Sequence, residues 1–227
     1  MYYDWTYILI LIGLALSLWA SAGLKNTYSK YSQVASRRGI TAAEAAEQIL
    51  YGAGITEVRI ERVEGDLTDH YDSSAKTLRL SDTVYQSTSI AAIGVAAHEC
   101  GHAIQDSESY VPLRLRHFLV PIVSFGSRLS MPLFILGLVL GLHHSLVPLG
   151  IFLFSFAVLF QFVTLPVEFN ASARAVAILG DSGLIDSTEI PKVKKVLRAA
   201  AYTYLAATAA SALQLLRLIL IARRRRD

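Results

Sequence analysis

The stretch IAAIGVAAHECGHAIQ, residues 90–105, decides how the rest of the chain is interpreted. Its first half is apolar and its small residues allow close packing, so we predict a helix over Ser89–Gln105. His98 and His102 are four residues apart and lie on one helical face, where both imidazoles can reach one metal ion. Glu99 projects about 100° further around the helix, beside that ion. This spacing predicts a catalytic metal site in which Glu99 acts as general base on a bound water.

A third protein ligand must come from another part of the chain, because catalytic zinc sites usually have three protein ligands and one open position. Glu168 is the candidate, since it is the first charged residue after a long apolar stretch. From composition alone, an ordinary glutamate at a membrane interface remains the alternative. Cys100 points about 200° away from His98 on the same helix, and we predict that it is a buried packing residue.

Composition excludes several classes of protein. Of the 227 residues, 53% are hydrophobic and only 17% are charged, and the mean hydropathy is +0.44. Soluble domains contain about one quarter charged residues, and disordered chains have low hydrophobicity. The net charge of +3 is smaller than the contribution of the four arginines Arg223–Arg226, which indicates a basic tail near a membrane and no nucleic-acid binding. A single cysteine excludes an intrachain disulfide.

The apolar stretches predict an α+β membrane protein that is mainly helical, with a small β-sheet and three to four transmembrane helices. Tyr7–Leu24 contains no charge and is long enough to span a bilayer; a cleaved signal peptide is the weaker alternative. We divide the chain into five segments. They are an N-terminal transmembrane anchor (1–24), a sheet with the motif helix (25–117), a transmembrane helical hairpin (118–167), a third-ligand helix with a connecting segment (168–198), and a C-terminal hydrophobic helix with a basic tail (199–227).

The segment 25–117 carries the signals of a small domain. Thr41-Ala42-Ala43-Glu44 is a capping box and predicts a helix that runs to about Tyr51. Residues 57–61 and 76–80 alternate polar and apolar side chains, as strands do. We therefore predict an antiparallel sheet of two or three strands.

Four short stretches, 97–105, 165–172, 69–72 and 30–32, resemble the bacterial membrane zinc metallopeptidases of the YugP type. The resemblance covers nearly the whole chain, and these proteins are more distantly similar to the HtpX and CAAX-prenyl proteases. It implies a gluzincin-like protease core and one zinc ion per chain. It also implies that Glu168 is the third zinc ligand beside His98 and His102.

The sequence departs from the distant relatives at one position. They have an aspartate four residues after the third ligand that orients a zinc histidine, and Ser172 occupies this position here. Because a ligating histidine usually needs a hydrogen bond on its other nitrogen, we expect Ser172 or Asn170 to provide it. Arg174 is a candidate for stabilising the oxyanion of the transition state, with a salt bridge on the helix surface as the alternative.

These observations predict an integral-membrane zinc metalloendopeptidase that acts on polypeptides, chiefly membrane-associated or unfolded proteins. In related proteases an edge strand before the motif helix pairs with the substrate, and we assign this role to the strand Lys76-Thr77-Leu78-Arg79-Leu80. A catalytically inactive membrane scaffold and an intramembrane site-2-type protease are the alternative functions. The sequence predicts neither the physiological substrate nor the oligomeric state.

The active site is expected at the membrane surface, since the apolar run of the motif helix is too short to span a bilayer. Basic residues near the predicted spans favour a cytoplasmic site. With four full spans the basic tail would then be external, so either the last helix does not cross the membrane or the small domain is external.

Overall fold

A computed structural model describes residues 4–224 of the chain; Arg225 and Arg226 of the predicted basic tail lie outside this range. The described part contains seven helices and three strands, which confirms the predicted α+β membrane protein. In chain order they are α1 (Tyr7–Ser32), α2 (Ala42–Gly52), β1 (Arg59–Val63), β2 (His70–Asp72), β3 (Thr77–Ser81), α3 (Asp82–Tyr85), α4 (Ile90–Ser107), α5 (Val111–Val139), α6 (Leu146–Asp181) and α7 (Ile190–Arg224).

Four of the described helices are long and apolar enough to cross a membrane, namely α1, α5, α6 and α7. All four extend beyond the predicted apolar stretches, and α5 begins at Val111, before the predicted hairpin. Helix α1 continues to Ser32, and α6 continues without interruption through Glu168 to Asp181. Helix α7 begins at Ile190, so the predicted segment 168–198 contains the end of α6 and the start of α7.

The described residues form two compact units. The first, here called the site unit, consists of Ala22–Leu113 and Val167–Tyr202. The second, here called the apolar unit, consists of residues 4–21, Arg114–Pro166 and residues 203–224.

Helix α4 lies in the hydrophobic core of the site unit, and its two ends are those the sequence predicts to within two residues. Ser89 caps its first turn, because the Ser89 hydroxyl oxygen accepts a hydrogen bond from the Ala92 N–H. Ala96, Ala97 and Cys100 are fully buried on the faces that do not carry the histidines. Small side chains therefore allow neighbouring elements to pack closely around the motif.

Helix α2 begins with the predicted capping box. The Thr41 hydroxyl accepts a hydrogen bond from the Glu44 N–H, and the Glu44 carboxylate accepts one from the Thr41 N–H. Ala42, Ala45 and Ile49 of this helix are buried in the same core as α4.

The sheet has the strand order β1-β3-β2 and is mixed. The two predicted strands, β1 and β3, are parallel, so the prediction of an antiparallel sheet is wrong; strand β2, which the sequence analysis did not predict, is antiparallel to β3. The chain order explains this arrangement. Strand β2 runs opposite to β1, and β3 then runs in the direction of β1 and lies between β1 and β2. Alternation of side chains identifies strands but does not fix their order.

The predicted pairing of a substrate with Lys76–Leu80 is also wrong. Strand β3 covers this segment from Thr77 onward and lies at the centre of the sheet, with β1 on one side and β2 on the other. Both of its edges are hydrogen-bonded to neighbouring strands, so a third strand has no main-chain groups to bind. The edges of the sheet are β1 and β2.

The apolar unit is held together by apolar contacts and close helix approaches. Phe134, Val147 and Leu218 form a buried cluster that joins α5, α6 and α7. Gly150 of α6 lies so close to α5 that an added Cβ would be 2.7 Å from the Ser130 carbonyl oxygen.

Candidate metal centre

Three potential metal ligands converge in the site unit. The Nε2 atoms of His98 and His102 lie 3.3 Å and 3.6 Å from Oε2 of Glu168. The ligand atoms of the three residues are all within 4.8 Å of one another, and Glu168 is only 3% exposed. The structure thus brings together the three residues that the sequence analysis selected as ligands, although Glu168 is 66 positions beyond His102 in the chain.

A glycine makes this convergence possible. Gly101 lies between the two histidines, and a Cβ added there would be 2.6 Å from the carbonyl oxygen of Ala171 and 3.1 Å from its carbonyl carbon. The backbones of α4 and α6 therefore touch at the level of the ligands, at a distance that any side chain on residue 101 would prevent. This contact places the Glu168 carboxylate against both imidazoles.

The geometry and the donor set fit a zinc ion. For a tetrahedral ion with bonds of about 2.0–2.1 Å, neighbouring ligand atoms are about 3.3–3.4 Å apart. The two separations between imidazole nitrogen and carboxylate oxygen, 3.3 Å and 3.6 Å, are close to this value. Two imidazoles and one carboxylate are also a common set of protein ligands in catalytic zinc sites.

The electrostatics of the metal-free site favour a cation at this point. Burial by itself lowers the pKa of His102, but the adjacent carboxylates of Glu168 and Glu99 outweigh it and raise this pKa above its ordinary value. The negative charge around this imidazole therefore favours a positive charge at this point. A bound metal cation would satisfy this preference.

Glu99 is buried beside the ligands and is held by the edge of the sheet. Its Oε2 accepts a hydrogen bond of 3.0 Å from the main-chain N–H of Tyr71 in β2. The hydroxyl of Tyr71 donates to Oδ2 of Asp106, and the Lys76 ammonium donates to the same oxygen. Burial and the Asp106 carboxylate together raise the pKa of Tyr71 well above its ordinary range, so the phenol stays protonated.

These contacts fix β2 next to the C-terminal half of α4. Sequence analysis did not select Tyr71 or Asp106 as site residues. The one signal was that residues 69–72 belong to a stretch that resembles the metallopeptidase family, without indicating a role.

Each imidazole has a partner on its second ring nitrogen. Ser172 Oγ lies 3.1 Å from Nδ1 of His98, which is the contact that the sequence predicted for this serine. Oε1 of Gln105 lies 3.0 Å from Nδ1 of His102. Sequence analysis missed Gln105, although its position three residues after His102 places it on the same helical face.

The other two predicted residues form hydrogen bonds with Gln105 and with each other. Asn170 accepts a hydrogen bond from Gln105, and Arg174 donates one to Asn170. Arg174 also forms a 2.7 Å ion pair with Glu108. The structure therefore shows the salt bridge that was the alternative to an oxyanion role for Arg174.

Cys100 is fully buried, and burial raises the pKa of its thiol well above the ordinary range. Its sulfur lies 3.6 Å from the Ala46 carbonyl oxygen, on the face of α4 that packs against α2. It fills space in the core, as predicted, and is not part of the ligand group found among the described residues.

Comparison with known proteins agrees with this site. A sequence model of the family described as "Putative neutral zinc metallopeptidase" matches residues 6–223. The chain is 48% identical over 219 residues to a protein named "Putative membrane protease YugP" from Bacillus subtilis (strain 168), which covers 96% of this chain and 97% of that protein. No solved structure matches the chain. Together with the four apolar helices, these matches identify a membrane protein, and they show that this chain belongs to the neutral zinc metallopeptidase family.

Proposed function

We propose that this protein is an integral-membrane zinc endopeptidase in which His98, His102 and Glu168 bind one zinc ion and Glu99 is the general base. The observation that carries the proposal is the convergence of two imidazoles and one carboxylate at a single buried point, next to a second buried carboxylate. Membership of the metallopeptidase family supports it.

Zinc bound at such a site would polarise a substrate carbonyl and lower the pKa of a water molecule, which makes this water a better nucleophile once it has lost a proton. The Glu99 carboxylate takes the proton of the attacking water and passes it to the leaving amine. The Tyr71 N–H donates to one oxygen of this carboxylate and so orients it. Ser172 and Gln105 hold the two imidazoles in place through their Nδ1 atoms.

The substrate binds along β2 in this proposal. Strand β2 is an edge of the sheet, and the Tyr71 N–H is directed towards Glu99 and away from β3. An extended polypeptide added to this edge would lie beside the general base. The Tyr71 N–H is already bound by Glu99, so a substrate would pair with the remaining outward main-chain groups of this edge, with little dependence on its own sequence. This arrangement suits a peptidase that acts on unfolded segments.

We place the reaction at the membrane surface and on the cytoplasmic side, with membrane-associated or unfolded polypeptides as substrates. Glu168 directly follows the apolar run of α6, and α4 is not among the described helices that are apolar enough to span a bilayer. An intramembrane protease would need its motif within such a span. The basic residues that follow α1, Arg37 and Arg38, favour the cytoplasmic side.

The first experiment measures bound zinc in detergent-purified wild type, Glu168→Ala and the control Glu47→Gln, which changes an exposed glutamate of α2. We expect about one zinc per chain in wild type and in the control, and a strong loss in Glu168→Ala. A wild-type protein that takes up no added zinc would contradict the proposal and favour an inactive scaffold. Full zinc retention by Glu168→Ala would require another third ligand.

A second experiment separates metal binding from catalysis. Glu99→Gln should retain zinc but lose at least about 100-fold in the rate of peptide cleavage, because the amide cannot accept the proton. The substrates compared are a membrane-tethered peptide and unfolded casein. Undiminished cleavage by the zinc-loaded variant would exclude Glu99 as the base. Equal cleavage of both substrates would argue against a preference for membrane proteins.

A further inference from the structure

We propose that Gln105 is a positioning residue that fixes the proton of His102 on Nδ1, and so presents the unprotonated Nε2 to the metal. The proposal rests on the assignment of His102 as a zinc ligand. It concerns a property of the metal-free protein, however, and is testable without zinc or catalysis.

The side chain of Gln105 is fully buried, and its amide can adopt only one orientation. Its Nε2 donates 2.8 Å to the main-chain carbonyl of Val167, which is a pure acceptor. Rotating the amide by half a turn would place two oxygens against each other. The nitrogen must therefore face α6, and the oxygen Oε1 must face His102.

A second contact imposes the same orientation independently. Gln105 Nε2 also donates 2.9 Å to Oδ1 of Asn170, and Arg174 Nε donates 2.7 Å to this same oxygen. Arginine has only donors, so the Asn170 atom that faces it must be the oxygen. The ion pair of Arg174 with Glu108 anchors the guanidinium at 2.7 Å. A chain of hydrogen bonds with a fixed direction thus leads from the surface to Gln105.

The direction of this chain determines the protonation of His102. Oε1 of Gln105 can only accept, and it lies 3.0 Å from Nδ1 of His102, so this nitrogen must carry a hydrogen. Nε2 faces Oε2 of Glu168 at 3.6 Å, which is beyond hydrogen-bond distance, so Gln105 is the acceptor within reach of the neutral ring and the lone pair is on Nε2. The ligand is set for metal binding before the metal arrives.

His98 provides an internal comparison. Its Nδ1 lies 3.1 Å from the hydroxyl of Ser172, and a hydroxyl can either donate or accept. This contact orients the ring without dictating which nitrogen is protonated. The Nδ1 partners of the two ligands therefore differ, since only that of His102 has a single possible role.

The test uses the full chain in detergent micelles, labelled with 15N-histidine, and records the tautomer of His102 by NMR at alkaline pH without metal. Zinc affinity is measured in parallel by competition with a chelating dye. Wild type should show His102 protonated on Nδ1. Gln105→Met keeps the length of the side chain but removes the acceptor, so it should give a mixture of tautomers and bind zinc about 10- to 100-fold more weakly.

Gln105→Glu separates positioning from packing. Its carboxylate still accepts from Nδ1 of His102, but it cannot donate to the Val167 carbonyl or to Asn170. We expect the wild-type tautomer and a zinc affinity within a few-fold of wild type, together with a lower melting temperature. Ser172→Ala is the matched control and should leave the His102 signal unchanged.

The inference is overturned if Gln105→Met shows the wild-type tautomer, or if Gln105→Glu loses it while remaining folded. If Gln105→Met does not fold, the His102 tautomer is compared between wild type and Gln105→Glu, and a difference between the two overturns the inference. A wild-type protein that binds no zinc but shows the predicted tautomer would contradict the proposed function and leave this inference intact.

Discussion

Both units of this protein contain a close contact between two helices, but the surfaces around these contacts differ. In each, a glycine lets two helix backbones touch: Gly101 meets Ala171 in the site unit, and Gly150 meets Ser130 in the apolar unit. In the site unit, α4 is buried on most faces and carries directed hydrogen bonds. In the apolar unit, large apolar side chains such as Phe125 and Phe152 are exposed.

This difference shows where each unit obtains its stability. An exposed apolar surface of this kind is unfavourable in water and normal in lipid, so the apolar unit depends on the bilayer as its solvent. The site unit buries its apolar side chains against one another and pairs its polar groups, as water-soluble domains do. Substitutions in the two units should therefore have separable effects on folding and on metal binding.

The largest effect is expected for Gly101→Ala. The new Cβ would lie 2.6 Å from the Ala171 carbonyl oxygen, and because the obstacle is backbone, α4 and α6 would have to separate. We expect a loss of about 3 kcal/mol in stability and a strong loss of zinc binding, since the two helices carry different ligands. Thermal unfolding and zinc content measure this.

Gly180→Ala is the matched control, since it changes a glycine of α6 that has no neighbouring atom within 4 Å of an added Cβ. It should leave zinc binding intact and should not lower the melting temperature. A Gly101→Ala protein with wild-type zinc content would show that the contact between α4 and α6 does not position the ligands.

Gly150→Ala introduces the same crowding in the apolar unit. Its Cβ would lie 2.7 Å from the Ser130 carbonyl oxygen and 2.8 Å from the Phe134 nitrogen. We expect a loss of about 2 kcal/mol in stability. Zinc affinity of the folded protein should be unchanged, because all three ligands belong to the site unit. A loss of zinc affinity as large as that of Gly101→Ala would mean that the units are not energetically separable.

Much of this organisation follows from the sequence, for identifiable reasons. The motif helix and its two histidine ligands could be predicted because residues four positions apart on a helix lie on the same face. Glu168 was found through the charge pattern and a family resemblance. The parallel pairing of β1 with β3 could not be predicted, because alternation does not encode strand order. Gln105 was missed because its role depends on Val167 and Asn170, more than 60 positions away in the chain.

The apolar unit also contains an ion pair, which limits the contrast between the units. Arg217 of α7 lies 3.5 Å from a carboxylate oxygen of Asp4, and its guanidinium is 4.6 Å from the centre of the Tyr7 ring. Arg217→Leu should cost about 1.5 kcal/mol, because it leaves Asp4 without this cation. Adding Asp4→Asn should recover part of the loss, and a double-mutant cycle of thermal unfolding measures the coupling. Strictly additive effects would show that the pair contributes no interaction energy.

The smallest effect is expected at the start of α2, where the site unit meets water. The main-chain N–H of Thr41 donates to the Glu44 carboxylate, and this hydrogen bond, with the adjacent Thr41 side chain, holds the pKa of this carboxyl below its usual range. Thr41→Ala removes the hydroxyl that caps the helix and should cost about 1 kcal/mol at neutral pH. Glu44→Gln tests the carboxylate separately, by unfolding measured between about pH 3 and pH 7.

The sign of the pH effect follows from the direction of the shift. Because the folded-state pKa of Glu44 lies below the unfolded value, its contribution is complete above the unfolded pKa and disappears as the pH falls through the folded one. Wild type should therefore lose more stability on acidification than Glu44→Gln, and the two should have parallel curves at neutral pH. Because the contact is exposed, the difference should shrink in high salt, whereas the effect of Gly101→Ala should be independent of salt. Equal acid sensitivity of both proteins would exclude this capping carboxylate as a source of the pH dependence.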